Sequence, residues 1–163
     1  MECRPYEPDR DGAELWRLKT EFERGLGSNT GDEEKRTAYD AKLTEAYGER
    51  YLDWVRWCLE REPRSVIVAD PGGDGLAGYA FVLPERLAMI WDAAVLNELY
   101  VEPDHRGSGA ANDLMEAALS IAREQDLPLD RLVLDVDPEN GRARAFYDRH
   151  GFEPWGEMVA REL

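Results

Sequence analysis

Lysine is almost missing from this sequence: of its 20 basic residues, only Lys19, Lys35 and Lys42 are lysines. They stand against 35 acidic residues and a formal net charge of −15. A general nucleic-acid binder needs a basic footprint; none is legible, so no nucleic-acid partner is expected. Long apolar runs are lacking too. Nothing approaches the roughly 20 residues that span a bilayer, so no membrane partner is expected. The opening MECRPYEPDRDG is charged rather than apolar, which argues against a secretory leader and makes a cytoplasmic location the default. The two cysteines, Cys3 and Cys58, and the two histidines, His105 and His150, have no metal-type spacing. A disulfide framework is excluded and no metal is expected.

What is there begins with the acid excess, which is spread along the whole chain. That distribution fits a solvated acidic surface suited to a high-salt cytoplasm better than a focused site for a cationic substrate such as an amine. At 163 residues and 43% hydrophobic, the chain is long and apolar enough for one domain with a real core. With no linker or repeat in view, residues 1–163 read as a single α+β domain.

ECRPYEP reads as a first strand. From Asp11, Leu15, Leu18 and Phe22 follow helical spacing, GLGSNTGD breaks that helix, and Asp32 can cap the next. Leu43, Ala46, Tyr47, Trp54, Val55 and Cys58 mark a second, long helix that Gly48 can split. SVIVAD and LAGYAFVL form a hairpin across PGGDG. The path of residues 84–93 cannot be read. AVLNELYV is a further strand, and Ala111, Leu114, Met115, Ala118, Leu119 and Ala122 mark a helix after it. RLVLDV is a strand, Asn140 to His150 a short helix stopped at Gly151, and FEPWGEMVAREL a closing strand pair.

The most informative stretch is the junction ELYVEPDHRGSGAANDLM. The first amides of a helix lack internal partners and carry partial positive charge. Gly107 and Gly109 remove side chains from their path, and Arg106 adds a planar fork of donors. Together these suit a diphosphate. The bland alternative is a turn with Ser108 as helix cap. A P-loop ending and a G-x-G-x-x-G pattern are both missing.

Arg106-Gly107-Ser108-Gly109-Ala110-Ala111 resembles the R/Q-x-x-G-x-G/A element of the GNAT superfamily of N-acetyltransferases. NGRARAFYDRHGF resembles that family's N-x-x-A-x-x-F/L-Y-x-x-x-G-F segment, at Asn140, Ala143, Phe146, Tyr147, Gly151 and Phe152. The resemblance implies a mixed, mostly antiparallel sheet flanked by helices, with acetyl-CoA in a cleft where two central strands splay apart. It implies that the pyrophosphate sits on the amides of Arg106, Gly107, Ser108, Gly109, Ala110 and Ala111. The pantetheine arm would run along Leu99, Tyr100 and Val101, with Asn140 opposite and Tyr147 near the sulfur. Trp91, Asp92 and the long second helix would then border the acceptor.

The implied activity is acetyl transfer from acetyl-CoA to a primary amine of a small molecule or peptide, in a monomer or homodimer. It needs a base, a stabilised carbonyl oxygen and a protonated leaving group. Tyr147 is the candidate acid, against a packing role in the core. Glu98, a charge inside an apolar strand, and Asp135 are the candidate bases, against edge positions facing water. The rival class is a catalytically silent acyl-CoA-binding or regulatory domain, and amine turnover separates the two.

Overall fold

The computed structural model describes residues 1–28 and 32–163. Five strands, β1 (Glu2–Pro5), β2 (Val66–Asp70), β3 (Gly78–Val82), β4 (Ala94–Val101) and β5 (Leu132–Val133), form one sheet in sequence order. The first four are antiparallel; β5 runs parallel to β4. The helices are α1 (Pro8–Ser28), α2 (Glu33–Ala41), α3 (Glu45–Arg61), α4 (Glu85–Ala88), α5 (Ala110–Arg123) and α6 (Gly141–Arg149). This is the mixed, mostly antiparallel sheet flanked by helices that the sequence leads one to expect.

Strand alternation sorts the core into two layers. Val66, Val68, Tyr79 and Phe81 pack against α1 and α3 with Leu15, Leu18, Tyr51, Val55 and Cys58. Ile67, Ala69, Ala80, Val82 and Leu96 face the other way, onto Leu114, Met115, Ala118 and Ile121 of α5. The β1 edge is tied down by charge. Arg4 donates to both oxygens of the buried Asp11 at 2.8 Å and to Asp70 at 3.0 Å. Asp11 therefore sits inside the first turn of α1 rather than opening it, and accepts from the Glu7 amide at 2.9 Å.

One irregularity shapes the middle of the sheet. Leu99 pairs with Ala80 and Glu98 with Phe81, but Val82 pairs with Leu96. Asn97 is thus an extra residue in β4, a β-bulge. Strict alternation would put Leu96 and Glu98 on one face. The bulge lets Leu96 stay with α5 while Glu98 turns toward α1.

Several sequence expectations need correction. The long second helix is interrupted at Lys42–Thr44, where Thr44 caps α3 by accepting from the Tyr47 amide at 3.1 Å. Gly48 lies within α3 and serves packing instead: a Cβ there would stand 2.9 Å from the Trp16 ring. Helix α1 passes through Gly25 and Gly27; the rest of the expected break, residues 29–31, lies outside the described residues. The Asp32 cap is present, its Oδ1 accepting from the Glu34 and Lys35 amides at 2.9 and 3.3 Å. Strand β5 is two residues long rather than six. Residues 152–163 form no strand pair: Trp155, Met158 and Val159 stay exposed, and residues with strand-like spacing form a strand only where a partner ladder exists.

Candidate active site

Strands β4 and β5 pair only at Ala94–Leu132 and Val95–Val133. Beyond that point they part, and a cleft of about 490 Å³ opens between them. Its walls come from β4 (Leu96 to Tyr100), the segment Leu134–Asp137, the start of α6, and the last turns of α1. Seven of the residues expected at the site line this cleft: Glu98, Leu99, Tyr100, Arg106, Asp135, Asn140 and Tyr147. Elements far apart in sequence thus converge on one place.

Val101 and residues 107–111 do not form the wall; they follow it as the turn into α5. Gly107 and Gly109 have φ of +81° and +95°, which disfavours any other residue, and a Cβ on either would meet nothing within 4 Å. The N-cap of α5 is Gly109, not Ser108. The Ser108 hydroxyl instead donates to the His105 carbonyl at 2.6 Å and accepts from the Ala110 amide at 3.3 Å. The amides of Gly107, Gly109, Ala111 and Asn112 have no partner among the described residues.

Two guanidiniums stand beside that turn. Arg106 donates to the Val101 carbonyl at 3.1 Å. Neither Arg106 nor Arg142, which also lines the cleft, has a carboxylate partner among the described residues. Burial, and then the neighbouring Arg106 charge, hold Arg142 below its ordinary pKa. Two unpaired, mutually repelling arginines next to four free amides form a receptor short of an anion. They stand so in a chain with an acid excess of 15 charges.

The polar groups of the cleft differ sharply in freedom. Asn140 caps α6, its Oδ1 accepting from the Ala143 amide at 3.2 Å, and its amide hydrogens have no partner among the described residues. Tyr147 packs edge-on against Phe146 and Phe152, and its hydroxyl has no partner among the described residues. Burial pushes its pKa up to about 12, so it is fully protonated near neutrality. Asp135 is exposed in the cleft wall.

Glu98 does not face water, the alternative weighed for it from sequence. It is 4% exposed. Its Oε1 accepts from Lys19 at 2.6 Å and from Asn97 at 3.4 Å, and its Oε2 from the Tyr51 and Tyr79 hydroxyls at 2.7 and 2.8 Å. Lys19 also donates to Glu23 at 2.5 Å, and Lys42 balances Glu23 from 2.8 Å. Burial favours a neutral Lys19, but Glu98 and Glu23 outweigh it and hold the ammonium above its ordinary pKa. Burial, then Glu98, push Tyr51 and Tyr79 well up. Lys19 is the residue that sequence reasoning misses. Its signal is a scarce lysine on the Leu15–Leu18–Phe22 stripe. Trp91 and Asp92 lie before β4, at the closed end of the β4–β5 pair and away from the cleft.

Residues 29–152 match the Acetyltransferase (GNAT) family. An uncharacterised N-acetyltransferase of Mycobacterium tuberculosis is 32% identical over 123 residues, covering 75% of this chain and 69% of that protein. A mycothiol acetyltransferase of Salinispora tropica is 34% identical over 101 residues, 60% of this chain. This chain spans only 31% of that protein's length, and 64% of that of an Archaeoglobus fulgidus relative. Among solved structures, the PaiA N-acetyltransferase of Thermoplasma acidophilum in complex with coenzyme A superposes with a TM-score of 0.70. It is 19% identical, with coverage of 93% and 89% of the two chains.

Proposed function

The chain belongs to the GNAT family of acetyltransferases, and from that membership we propose that it moves an acetyl group from acetyl-CoA to a primary amine of a small molecule or peptide. The observation that carries the donor assignment is the anion-poor corner of Arg106, Arg142 and the amides of Gly107, Gly109, Ala111 and Asn112, which have no partner among the described residues. A diphosphate fits it, because helix-start amides and guanidiniums bind phosphate oxygens with charge-assisted bonds. The unpaired edge of β4 from Leu96 to Tyr100 offers main-chain groups to an extended amide-bearing arm, and the free Asn140 amide faces it across the cleft.

When bound, the thioester supplies an acyl carbon open to attack and a thiol as leaving group. The protein's own part is proton handling and charge stabilisation. Tyr147 presents a protonated, unpartnered hydroxyl to the cleft and is the acid in this reading. Asp135 is the base: it is exposed to the cleft, whereas each Glu98 oxygen already accepts two hydrogen bonds. With all four of those bonds made, the Glu98 oxygens are committed to structure. Glu98 instead holds α1, α3, β3 and the bulge of β4 in place. In this reading, main-chain amides of Leu99 to Val101 meet charge developing on the carbonyl oxygen.

The test is a panel of primary amines incubated with acetyl-CoA, following free thiol and the mass of the product. Turnover of at least one amine is expected. Stabilisation by acetyl-CoA without any turnover would favour the silent binding domain. Neither binding nor turnover would overturn the reading.

A further inference from the structure

Lys35 reaches from α2 to the far wall of the cleft. Its ammonium lies 2.5 Å from Oδ2 of Asp137, a residue 102 positions away on the segment between β5 and α6. Asp135, Val136 and Asp137 all line the cleft. The Asp137 side chain is only 12% exposed, while that of Lys35 is 41% exposed. An alkylammonium therefore already rests on the acidic wall of the cleft, on a tether that water can reach. The same cleft is also lined by Arg106 and Arg142, which have no carboxylate partner among the described residues. Its lining thus offers groups of both signs, cations for a phosphate and carboxylates for an ammonium.

We propose that Lys35 is an internal surrogate for the acceptor: the acceptor is a primary amine on an unbranched alkyl chain, such as a lysine side chain or a diamine, and it binds by displacing the Lys35 ammonium from Asp137. This rests on the acetyl-transfer reading of the cleft and narrows its substrate class. The Asp137 hydrogen bond holds Lys35 above its ordinary pKa, and the Lys35 bond holds Asp137 below its own. The resting pair is therefore an ammonium on a carboxylate near neutrality, the charge state in which an incoming amine also arrives. Exchange of one alkylammonium for another leaves Asp137 paired at both ends of the step. Its cost is only the loss of a half-exposed ion pair, so Lys35 weakens acceptor binding modestly rather than blocking it. A neutral or anionic acceptor gains nothing from the displacement and leaves a carboxylate unpaired, which makes Lys35 a specificity-determining residue.

The experiment titrates n-butylamine into the protein and follows backbone amide shifts by NMR, with n-butanol as the uncharged control. Lys35→Ala should tighten n-butylamine roughly two- to fivefold, the equilibrium worth of an ion pair of this exposure. It should leave n-butanol unaffected. Lys35→Arg keeps a cation on the same tether and should behave as wild type. Asp137→Asn should weaken n-butylamine about tenfold, the loss of a charge-assisted hydrogen bond, and should erase the effect of Lys35→Ala in the double variant. Equal n-butylamine affinity in wild type and Lys35→Ala would overturn the proposal, as would an equal gain for n-butanol. Because this readout needs no turnover, failure of acetyl transfer and failure of the displacement are separate results. Where an amine is turned over, the same Lys35→Ala gain should appear in KM.

Discussion

The buried charge cluster beneath the cleft gives the sharpest prediction. Lys19→Met keeps the stem of the side chain but removes the ammonium. Among the described residues, Glu98 then loses its one cationic partner, and Glu23 keeps the half-exposed Lys42. Lys19, Glu23 and Glu98 are 4%, 2% and 4% exposed, so water cannot replace the lost partner. Removing one member of a buried pair costs about 3–5 kcal/mol. With a urea m-value near 2 kcal/mol per M, the midpoint should fall by about 2 M. That is a large share of the roughly 5–15 kcal/mol available to a domain. A second variant therefore accompanies it. In Lys19→Met/Glu98→Gln the amide oxygen can still accept from Tyr51 and Tyr79 while the unpaired charge is gone, so the double variant should be more stable than Lys19→Met alone. The sign with pH follows from the raised pKa of Lys19. Its stabilisation is complete below the unfolded lysine value of about 10.4 and is lost as pH climbs through the higher folded value. A Lys19→Met cost under about 1 kcal/mol, or strict additivity in the double variant, would refute the reasoning.

Further expectations concern the cleft itself. Gly109→Asp should abolish acetyl-CoA binding by calorimetry, while Gly109→Ala, which shares the positive-φ strain of about 1–2 kcal/mol without the charge, should retain part of it; equal binding by the wild type and the Asp variant would move the pocket elsewhere. Tyr147→Phe should fold and bind acetyl-CoA normally but lower kcat by about 10²-fold where proton transfer limits the rate. With its pKa near 12, the wild-type hydroxyl should also contribute no basic limb to the kcat profile below pH 10. Added KCl should preserve acetyl-CoA affinity and raise the unfolding midpoint. The screening length falls from about 30 Å at 0.01 M to about 3 Å at 1 M, hiding the distant carboxylates from the polyanion; a steep loss of both with salt would count against a high-salt role for the acid excess.

Local chemistry is legible in the amino-acid order alone. The Arg106–Ala111 turn, the Asp32 cap, the α5 stripe and the Asn140–Gly151 helix all follow from interactions within a few residues, so spacing and residue type determine them. The same holds for β2 and β3, whose apolar runs flank the glycine-rich turn at residues 71–75.

What only the tertiary structure decided are the matters settled between distant segments. Gly48 reads in sequence as a helix break and is a seat for Trp16. Glu98 reads as a candidate base without a named partner and is held by Lys19, 79 residues earlier, because the bulge at Asn97 turns it to the α1 face. Lys35 carries no mark in the sequence and lies on Asp137 across the cleft. A sequence states which groups are present, but a buried charge takes its partner from whatever the packing brings within hydrogen-bond reach. That choice is made when the sheet, its one bulge and the helices close together.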